Sequence, residues 1–411
     1  MYHNFLRLSI NFAVFSQKLF QNVLQEGAFY GTILIDTKIT KGAQSVNKSA
    51  SPQPKKTKRI DGEALIAIFL LALTVFLVFT VSILTFRSCA NDQISHPPAI
   101  TTPTPADTSK VPLTNKPYFS ERSQTVSFDT SSQYIVLTNG KTGEIVASRS
   151  SGVRFSPASM TKVMTLIVMC ERLSEEDLNK TITFTHEMYD YVRTGNYEGS
   201  TNHGIDPNDE YKIIDLLYGI GLKSASDCVL PVVLHLAGTE ERFVSWMNEK
   251  VEELGLENTH FDNPVGNESQ DNYTTAEDMS QIMEYAMKNQ MVRSILSKEI
   301  HQSTAAGYSS TGEFVPSFPI TFYSSLFGTH ESSRMYAYEE YYKTPFKLQT
   351  AKLLAGKTGY LVNDGVRNHC LVLYVKDIDS DDHYILVVGG GTQPQYVTME
   401  DIRNILDTYV K

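Results

Sequence analysis

A serine and a lysine stand three positions apart in this chain, at Ser159 and Lys162, just before the apolar run 163–169. Ser156 is a favourable helix N-cap and Pro157 suits the first helical position, so a helix is predicted to begin here. Residues i and i+3 share a helix face, which brings the Lys162 amine within reach of the Ser159 hydroxyl. A buried lysine loses part of its proton affinity and can act as a base, and the free N–H groups of a first helical turn can bind an oxyanion. The pair therefore predicts a serine nucleophile with its base.

The spacing of this pair is not specific by itself, because it also fits a capped amphipathic helix with a surface lysine. Two later motifs add to it. The first, Ser224-Ala225-Ser226, lies between two helical segments, and the second, Lys357-Thr358-Gly359, leads into a predicted strand. Alone, the first would be interpreted as a helix N-cap and the second as an ordinary strand start. Their joint occurrence, in this order, favours Ser159, Lys162, Ser224 and Lys357 as functional residues.

The apolar pattern predicts strands at both ends of the region 118–411 and helices between them. Strands are predicted at 133–137, 144–148, 354–361, 368–375 and 384–388, and helices at 159–173, 212–222, 225–236, 239–254, 275–288 and 399–409. The segment 139–143, Asn-Gly-Lys-Thr-Gly, is typical of a hairpin turn. The predicted fold class is α+β: an antiparallel five-stranded sheet flanked by helices, with an inserted helical lobe and a cleft between the two.

The order of the three motifs resembles that of the penicillin-recognising serine enzymes, and within them the D-alanyl-D-alanine carboxypeptidases of the low-molecular-mass penicillin-binding proteins. The stretch 246–266, which ends in Asn263-Pro264-Val265-Gly266, and the segment 273–279, which begins Tyr273-Thr274-Thr275, resemble further parts of that family. The resemblance covers residues 118–295 and 350–411, whereas residues 296–350 fit it poorly. It implies a β-lactamase/transpeptidase-like fold.

The resemblance also implies a role for each matching residue in serine-type D-Ala-D-Ala carboxypeptidase chemistry. Ser159 would attack the carbonyl between two D-alanines, Lys162 would take its proton, and Ser224 would relay a proton to the leaving amine. The implied substrate-binding residues are Ser226, Lys357, Thr358, Gly359 and Tyr360. Lys357 and Thr358 would bind the terminal carboxylate, Gly359 would allow close backbone approach, and the amides of Ser159 and Tyr360 would form an oxyanion hole. Ser226 stands where the family has an asparagine, and serine offers one donor where asparagine offers two.

Residues 64–86 are almost continuously apolar, carry no charge and are long enough to span a bilayer. Several basic residues lie within 55–59, whereas Arg87 alone follows closely, which predicts a cytoplasmic N-terminus. The chain is thus predicted to divide into a cytoplasmic tail (1–63), a transmembrane signal anchor (64–86), a Pro/Thr-rich linker (87–117) and an extracytoplasmic catalytic domain (118–411) at a bacterial cell membrane. A cleaved signal peptide ending near Ser88-Cys89-Ala90 is the alternative.

Charge, motif content and cysteine number exclude several other classes of function. The formal net charge of −10 argues against nucleic acid as a partner, and the chain contains neither a G-x-x-x-x-G-K-[ST] phosphate loop nor an H-E-x-x-H sequence. The four cysteines lack metal-ligand spacing, and no metal or organic cofactor is predicted. Cys170, Cys228 and Cys370 are interpreted as buried small hydrophobic residues, with a Cys170–Cys228 bridge left open.

Three functions fit this sequence. The first is a membrane-anchored carboxypeptidase that removes the terminal D-alanine from peptidoglycan stem peptides and is acylated by penicillin and other β-lactams. The second is a β-lactamase, although no convincing glutamate-based deacylation motif precedes Lys357. The third is a non-enzymatic penicillin or muropeptide receptor, to which the replacement at Ser226 gives weight. The tyrosine-rich run 335–342 is interpreted as a loop that packs on its own tyrosines, in preference to an aromatic wall beside the cleft.

Overall fold

The computed structural model describes residues 115–410, apart from Asn196, Glu198, Gly199, His203, residues 305–306, 309–313 and 316–318, and Asp364. The predicted tail 1–63, the predicted membrane segment 64–86 and nearly all of the linker 87–117 therefore lie outside the described residues. Among those that are described, no helix has both the length and the apolar character needed to cross a membrane.

The order of strands and helices in the described residues is close to the order that the apolar pattern predicts. The strands are β1 (Tyr118–Thr125), β2 (Tyr134–Asn139), β3 (Glu144–Arg149), β4 (Thr181–Thr183), β5 (Glu210–Lys212), β6 (Ile300–Gln302), β7 (Gly307–Tyr308), β8 (Phe314–Val315), β9 (Thr321–Tyr323), β10 (Ala351–Asn363), β11 (Val366–Asp377) and β12 (His383–Gly391). The helices are α1 (Thr161–Arg172), α2 (His186–Thr194), α3 (Ile213–Tyr218), α4 (Val229–Ala237), α5 (Glu240–Leu254), α6 (Ala276–Lys288), α7 (Gln290–Leu296), α8 (Arg334–Tyr342) and α9 (Gln395–Tyr409).

Within the described residues the large sheet has six strands, in the order β1-β3-β2-β12-β11-β10, so it joins both ends of the domain. Five strands pair antiparallel, but the edge strand β1 pairs parallel with β3, and the predicted five-stranded antiparallel sheet is therefore wrong. The pattern missed β1 because its sequence, YFSERSQT, is polar and mostly exposed. Polar contacts attach it instead: Arg122 Nη2 lies 2.6 Å from Glu144 Oε2, and Ser120 Oγ donates to Glu144 Oε1 at 2.5 Å.

Successive side chains of the central strands point to opposite sides of the sheet, and both sides are apolar. In β12, Ile385 and Val387 belong to one core, and Leu386 and Val388 belong to the other. The first core contains α1, in which every residue of 161–170 is buried. A helix that is buried on all sides lies at the centre of a domain, so any polar side chain on α1 is carried into the interior with it.

The tyrosine-rich run forms helix α8, so the loop predicted at 335–342 is wrong, although its tyrosines do pack on one another, with 4.6 Å between the ring centroids of Tyr338 and Tyr342. Tyr338 Oη donates to Glu400 Oε2 at 2.8 Å, and Tyr341 stacks on Tyr396 with 3.7 Å between ring centroids. These contacts attach α8 to α9. The tyrosines pack against a helix that is distant in sequence, which a local pattern does not reveal.

The chain enters α1 through a 3-10 turn, Ala158–Met160, so Ser159 precedes the α-helix and does not stand in its first turn. The predicted capping role of Ser156 is also wrong, because no side chain caps either start and Ser156 Oγ has no hydrogen-bond partner among the described residues. Ala158 has a φ of 48°, in the left-handed region that is unfavourable for a residue with a Cβ. Contacts from elsewhere must therefore hold this turn in place.

Gly266 lies directly against the turn. Its φ is +81°, and a Cβ added there would lie 1.9 Å from the Ala158 carbonyl oxygen. Asn263 fixes the approaching loop, since its Oδ1 accepts hydrogen bonds from the N–H groups of Val265, Gly266 and Asn267 at 3.2, 2.7 and 3.0 Å. Only glycine fits between the loop and the turn.

We expect Gly266→Ala to lower the free energy of unfolding by about 3 kcal/mol, because it adds a steric clash to an unfavourable φ. Gly238→Ala is the matched control, since Gly238 has a similar φ of +78° but nothing within 4 Å of the added Cβ. It should cost about 1 kcal/mol. Denaturant titration of both variants measures the difference, and equal losses would contradict the packing assigned to Gly266.

Candidate active site

Ser159 and Lys162 lie together at the entrance to α1. Lys162 Nζ donates to Ser159 Oγ at 3.1 Å and to the Val265 carbonyl at 2.6 Å. The lysine is 1% exposed, whereas Ser159 is half-buried and open to solvent on one side. Burial lowers the pKa of Lys162 to about 7, although the charge of Asp227 acts in the opposite direction. A lysine in this environment is partly neutral near pH 7 and can accept a proton.

The loop 263–267 supplies the second acceptor for Lys162. Its conformation is fixed by the Asn263 side chain, and it is joined to α1 by Thr165 Oγ1, which donates to the Pro264 carbonyl at 2.7 Å. The Val265 carbonyl is thereby directed at Lys162 Nζ. This neutral acceptor orients the amine toward Ser159 without adding a negative charge that would raise its pKa.

Ser224 and Lys357 form a second pair, contributed by chain segments that are far apart in sequence. Lys357 Nζ donates to Ser224 Oγ at 2.8 Å and to the Thr358 carbonyl at 2.9 Å. Ser224 follows a π-helical turn, Gly219–Lys223, and has a φ of 63°. π-Helical turns and left-handed residues are frequent at functional sites. Burial, followed by the nearby charge of Lys162, holds the pKa of Lys357 well below its usual range.

Gly359 brings the two pairs together. A Cβ at this position would lie 2.4 Å from Cys370 Sγ, 3.1 Å from the Pro157 carbonyl oxygen and 3.2 Å from Ala158 Cβ. Strand β10 therefore runs directly against the turn that carries Ser159, and a larger residue would push it away. The next residue, Tyr360, is 46% exposed and stacks on His369 with 4.6 Å between ring centroids.

Ser226 does not join this arrangement through its side chain. It is fully buried, its backbone N–H donates to the Thr201 carbonyl at 2.7 Å, and its Oγ has no hydrogen-bond partner among the described residues. Of the predicted site residues, hydrogen bonds join Ser159 with Lys162, and Ser224 with Lys357 and Thr358, whereas the Ser226 side chain joins neither group.

Ser325 was missed by the sequence analysis, although it contacts both sides of the site. Its N–H donates to the Leu222 carbonyl at 2.7 Å, and its Oγ shares a hydrogen bond with Thr358 Oγ1, also at 2.7 Å. It lies in the segment that fits the resemblance poorly, within Ser324-Ser325-Leu326. No local pattern marks this serine, because its partners are distant in the chain.

The described cysteines, Cys170, Cys228 and Cys370, are free and buried, which confirms their interpretation as small hydrophobic residues and leaves no bridge between the first two. Within the described ranges, no group of three or more His, Cys, Asp or Glu side chains is placed to hold a metal ion. The chemistry that this site offers is therefore that of a serine hydroxyl, a partly neutral lysine, and a second lysine beside a second serine hydroxyl.

Comparison with known proteins finds similarity to D-alanyl-D-alanine carboxypeptidases. The family model described as D-alanyl-D-alanine carboxypeptidase, Peptidase_S11, matches residues 120–315. The D-alanyl-D-alanine carboxypeptidase DacF of Bacillus subtilis is 32% identical over 160 residues, which are 38% of this chain and 39% of DacF. A D-alanyl-D-alanine carboxypeptidase of Streptomyces sp. K15 is 30% identical over 180 residues, which are 42% of this chain and 60% of that protein. Each alignment spans less than two thirds of the relative.

Solved structures show the same fold. The Streptomyces K15 DD-transpeptidase superposes with a TM-score of 0.54 at 23% identity, covering 69% of this chain and 99% of the transpeptidase. A D-alanyl-D-alanine carboxypeptidase from Mycobacterium tuberculosis H37Rv superposes with a TM-score of 0.50 at 20% identity, covering 68% of this chain and 92% of that structure. Over residues 120–315, the chain is thus similar to the D-alanyl-D-alanine carboxypeptidases of Peptidase_S11, and it shares the fold of the solved structures.

Proposed function

We propose that this protein is a serine-type D-Ala-D-Ala carboxypeptidase that shortens peptidoglycan stem peptides through an acyl-enzyme. The observation that carries the proposal is the contact between Lys162 Nζ and Ser159 Oγ, 3.1 Å apart, at a lysine whose burial lowers its pKa to about 7. The similarity of residues 120–315 to the carboxypeptidase family model supports the same reaction. A serine hydroxyl is a weak nucleophile until a neighbouring base removes its proton.

In the first step, neutral Lys162 accepts the Ser159 proton while Ser159 Oγ attacks the carbonyl between the two terminal D-alanines. The backbone amides of Ser159 and Tyr360 stabilise the oxyanion, and each such donor contributes about 3 kcal/mol in comparable sites. The C–N bond then breaks, the acyl group stays on Ser159, and the proton that Lys162 accepted passes through Ser224 to the D-alanine amine, which leaves. Water attacks the ester, returns the proton to Ser159 and releases the shortened peptide.

Lys357 and Thr358 bind the carboxylate of the leaving D-alanine. Lys357 Nζ already donates to Ser224 Oγ at 2.8 Å, so a carboxylate bound to Lys357 lies beside the proton relay. The Thr358 hydroxyl, paired with Ser325 Oγ at 2.7 Å, supplies a further donor. Charge-assisted hydrogen bonds of this kind are stronger than neutral ones, so a free carboxylate is the substrate group that they select.

Penicillin would acylate the same serine, because its strained amide presents a carbonyl to Ser159 and its carboxylate to Lys357. The apolar run 64–86, with basic residues before it, supports a membrane anchor that places residues 118–411 outside a bacterial cell. The proposed partners are therefore stem peptides ending in D-Ala-D-Ala, β-lactams as acylating inhibitors, and the membrane through the N-terminal segment.

A non-enzymatic receptor is the second candidate, favoured by Ser226, whose hydroxyl makes no hydrogen bond to the described site residues. Such a receptor would be acylated by penicillin without hydrolysing any peptide. Incubating residues 115–411 with a peptide ending in D-Ala-D-Ala separates the two functions. Release of D-alanine supports the carboxypeptidase, and its absence from a folded, penicillin-reactive domain supports the receptor.

Ser159→Ala should abolish labelling by a fluorescent penicillin, because the acyl acceptor is lost. Ser156→Ala is the matched control: Ser156 lies three residues earlier, its Oγ has no partner in the described part of the chain, and its loss should leave labelling unchanged. Gel fluorescence after a fixed incubation measures both. Persistent labelling of Ser159→Ala would contradict the assignment of the nucleophile.

The acylation rate should rise with pH through about 7 and then level off, because Lys162 must be neutral to accept the Ser159 proton. Below that pH the ammonium form dominates, and the rate falls about tenfold per pH unit. Lys162→Arg should be inactive at every pH tested, since a guanidinium stays protonated. Stopped-flow acylation between pH 5 and 9 measures the profile, which a flat curve would contradict.

Ser226→Ala should change kcat/KM by less than about twofold, since removing a buried hydroxyl without a partner is close to neutral. Ser224→Ala is the contrasting variant, because it removes the hydroxyl that Lys357 donates to, and it should lower kcat/KM by about a hundredfold. D-Alanine release from a synthetic peptide measures both. A large loss in Ser226→Ala would show that its hydroxyl contacts the substrate.

A further inference from the structure

Arg334, the first residue of α8, reaches the interior of strand β10 at Gly359, next to the proposed substrate-binding residues Lys357 and Thr358. Its Nη2 donates to the Gly359 carbonyl at 3.1 Å, and its Nη1 donates to His369 Nδ1 at 3.0 Å. The side chain is 5% exposed. None of the mechanistic steps above uses this buried cation, although it contacts the Lys357–Tyr360 segment directly.

The positive charge of Arg334 is not neutralised locally. Among the described residues, no carboxylate lies within ion-pair distance of its guanidinium, and both of its acceptors are uncharged. His369 is neutral because burial, together with the charges of Arg334 and Arg367, lowers its pKa to about 3. Arg334 itself stays protonated at neutral pH, since burial lowers its pKa only to about 10. Buried charges normally have a partner, and an isolated one is costly.

The neighbouring charges have the same sign. Burial is the main cause of the low pKa of Lys357, and Lys162 and then Arg334 act in the same direction. Asp227 is the carboxylate whose charge acts on Lys162. Arg334, which stays protonated, therefore places a positive charge beside the Lys357–Tyr360 segment in the free protein, and an anionic ligand would compensate it.

A chain of contacts ties Arg334 to Thr358 as well. The Arg334 N–H donates to the Ser325 carbonyl at 3.0 Å, and Ser325 Oγ is hydrogen-bonded to Thr358 Oγ1 at 2.7 Å. Arg334 thus contacts Gly359 through its side chain and is linked to Thr358 by way of Ser325. Arg334 is buried, so its charge would act on a bound ligand through the protein interior. Coulomb interactions are strong there because the dielectric constant is low.

We propose that Arg334 is a positioning residue whose uncompensated charge makes this site select ligands that end in a free carboxylate over the corresponding amides. It acts through Thr358 and Gly359 without touching the reacting atoms. The inference rests on the proposed function for its choice of ligand, a peptide ending in D-Ala-D-Ala.

Equilibrium binding separates this electrostatic role from a structural one. An acyl-D-Ala-D-Ala peptide and its C-terminal amide are titrated by calorimetry into Ser159→Ala protein, which cannot turn them over, with and without Arg334→Met. The acid should bind more tightly than the amide, and Arg334→Met should reduce that acid-to-amide ratio by about tenfold while leaving the amide almost unchanged. Arg403→Met is the matched control, because Arg403 is paired with Glu400 on α9, and it should leave the ratio intact.

A second variant covers the case in which Arg334→Met does not fold. His369→Asp keeps the arginine but places a carboxylate beside Nη1, and it should reduce the acid-to-amide ratio to a similar extent. Equal loss of acid and amide binding, or an unchanged ratio in a folded variant, would overturn the inference. So would a parent protein without preference for the acid. D-Alanine release by the unmodified protein is measured separately, so failure of the proposed function is seen independently of the binding ratio.

Discussion

The burial of Lys162 is the constraint on which the rest of the site depends. Because α1 is buried along residues 161–170, its one lysine is carried into the core, where a charged ammonium is costly. The Ser159 hydroxyl and the Val265 carbonyl satisfy the amine without adding negative charge, so burial prevails and the pKa falls to about 7. That carbonyl is held in place by the loop 263–267. Hydrogen bonds to the Asn263 side chain fix the loop, and Gly266 packs it against the turn at Ala158.

The second constraint is that basic side chains lie close together around the Lys357–Tyr360 segment of β10. Lys357 belongs to this segment, and Arg334 reaches it from α8. Lys162 lies close enough to lower the pKa of Lys357. Ser224, Ser325 and Thr358 connect these groups by hydrogen bonds of 2.7–2.8 Å. In the proposed function a carboxylate would compensate these basic groups, so binding and orientation of the proposed substrate would depend on the same side chains.

The sequence predicts the local parts of this structure well and the distant contacts poorly. Helices α1, α5 and α6 and the hairpin β2–β3 follow from apolar periodicity and turn residues, because each is determined by its neighbours in the chain. Strand β1 was missed because Arg122 and Ser120 attach it through Glu144 and not through an apolar face. The capping role expected of Ser156 fails because a 3-10 turn replaces the predicted helix start. Ser325 and Arg334 could not be predicted, since their function lies in partners far along the chain.

Direct titration of Lys162 tests the account most simply. Lysine labelled with ¹³C and ¹⁵N is incorporated into the domain, the Lys162 signals are assigned by their loss in Lys162→Arg, and their chemical shifts are followed by NMR across a pH series. We expect the Lys162 signals to shift with a titration midpoint at about pH 7. A midpoint near the ordinary lysine value of 10.5 would contradict it, because Lys162 would then be fully charged at neutral pH and unable to take the Ser159 proton.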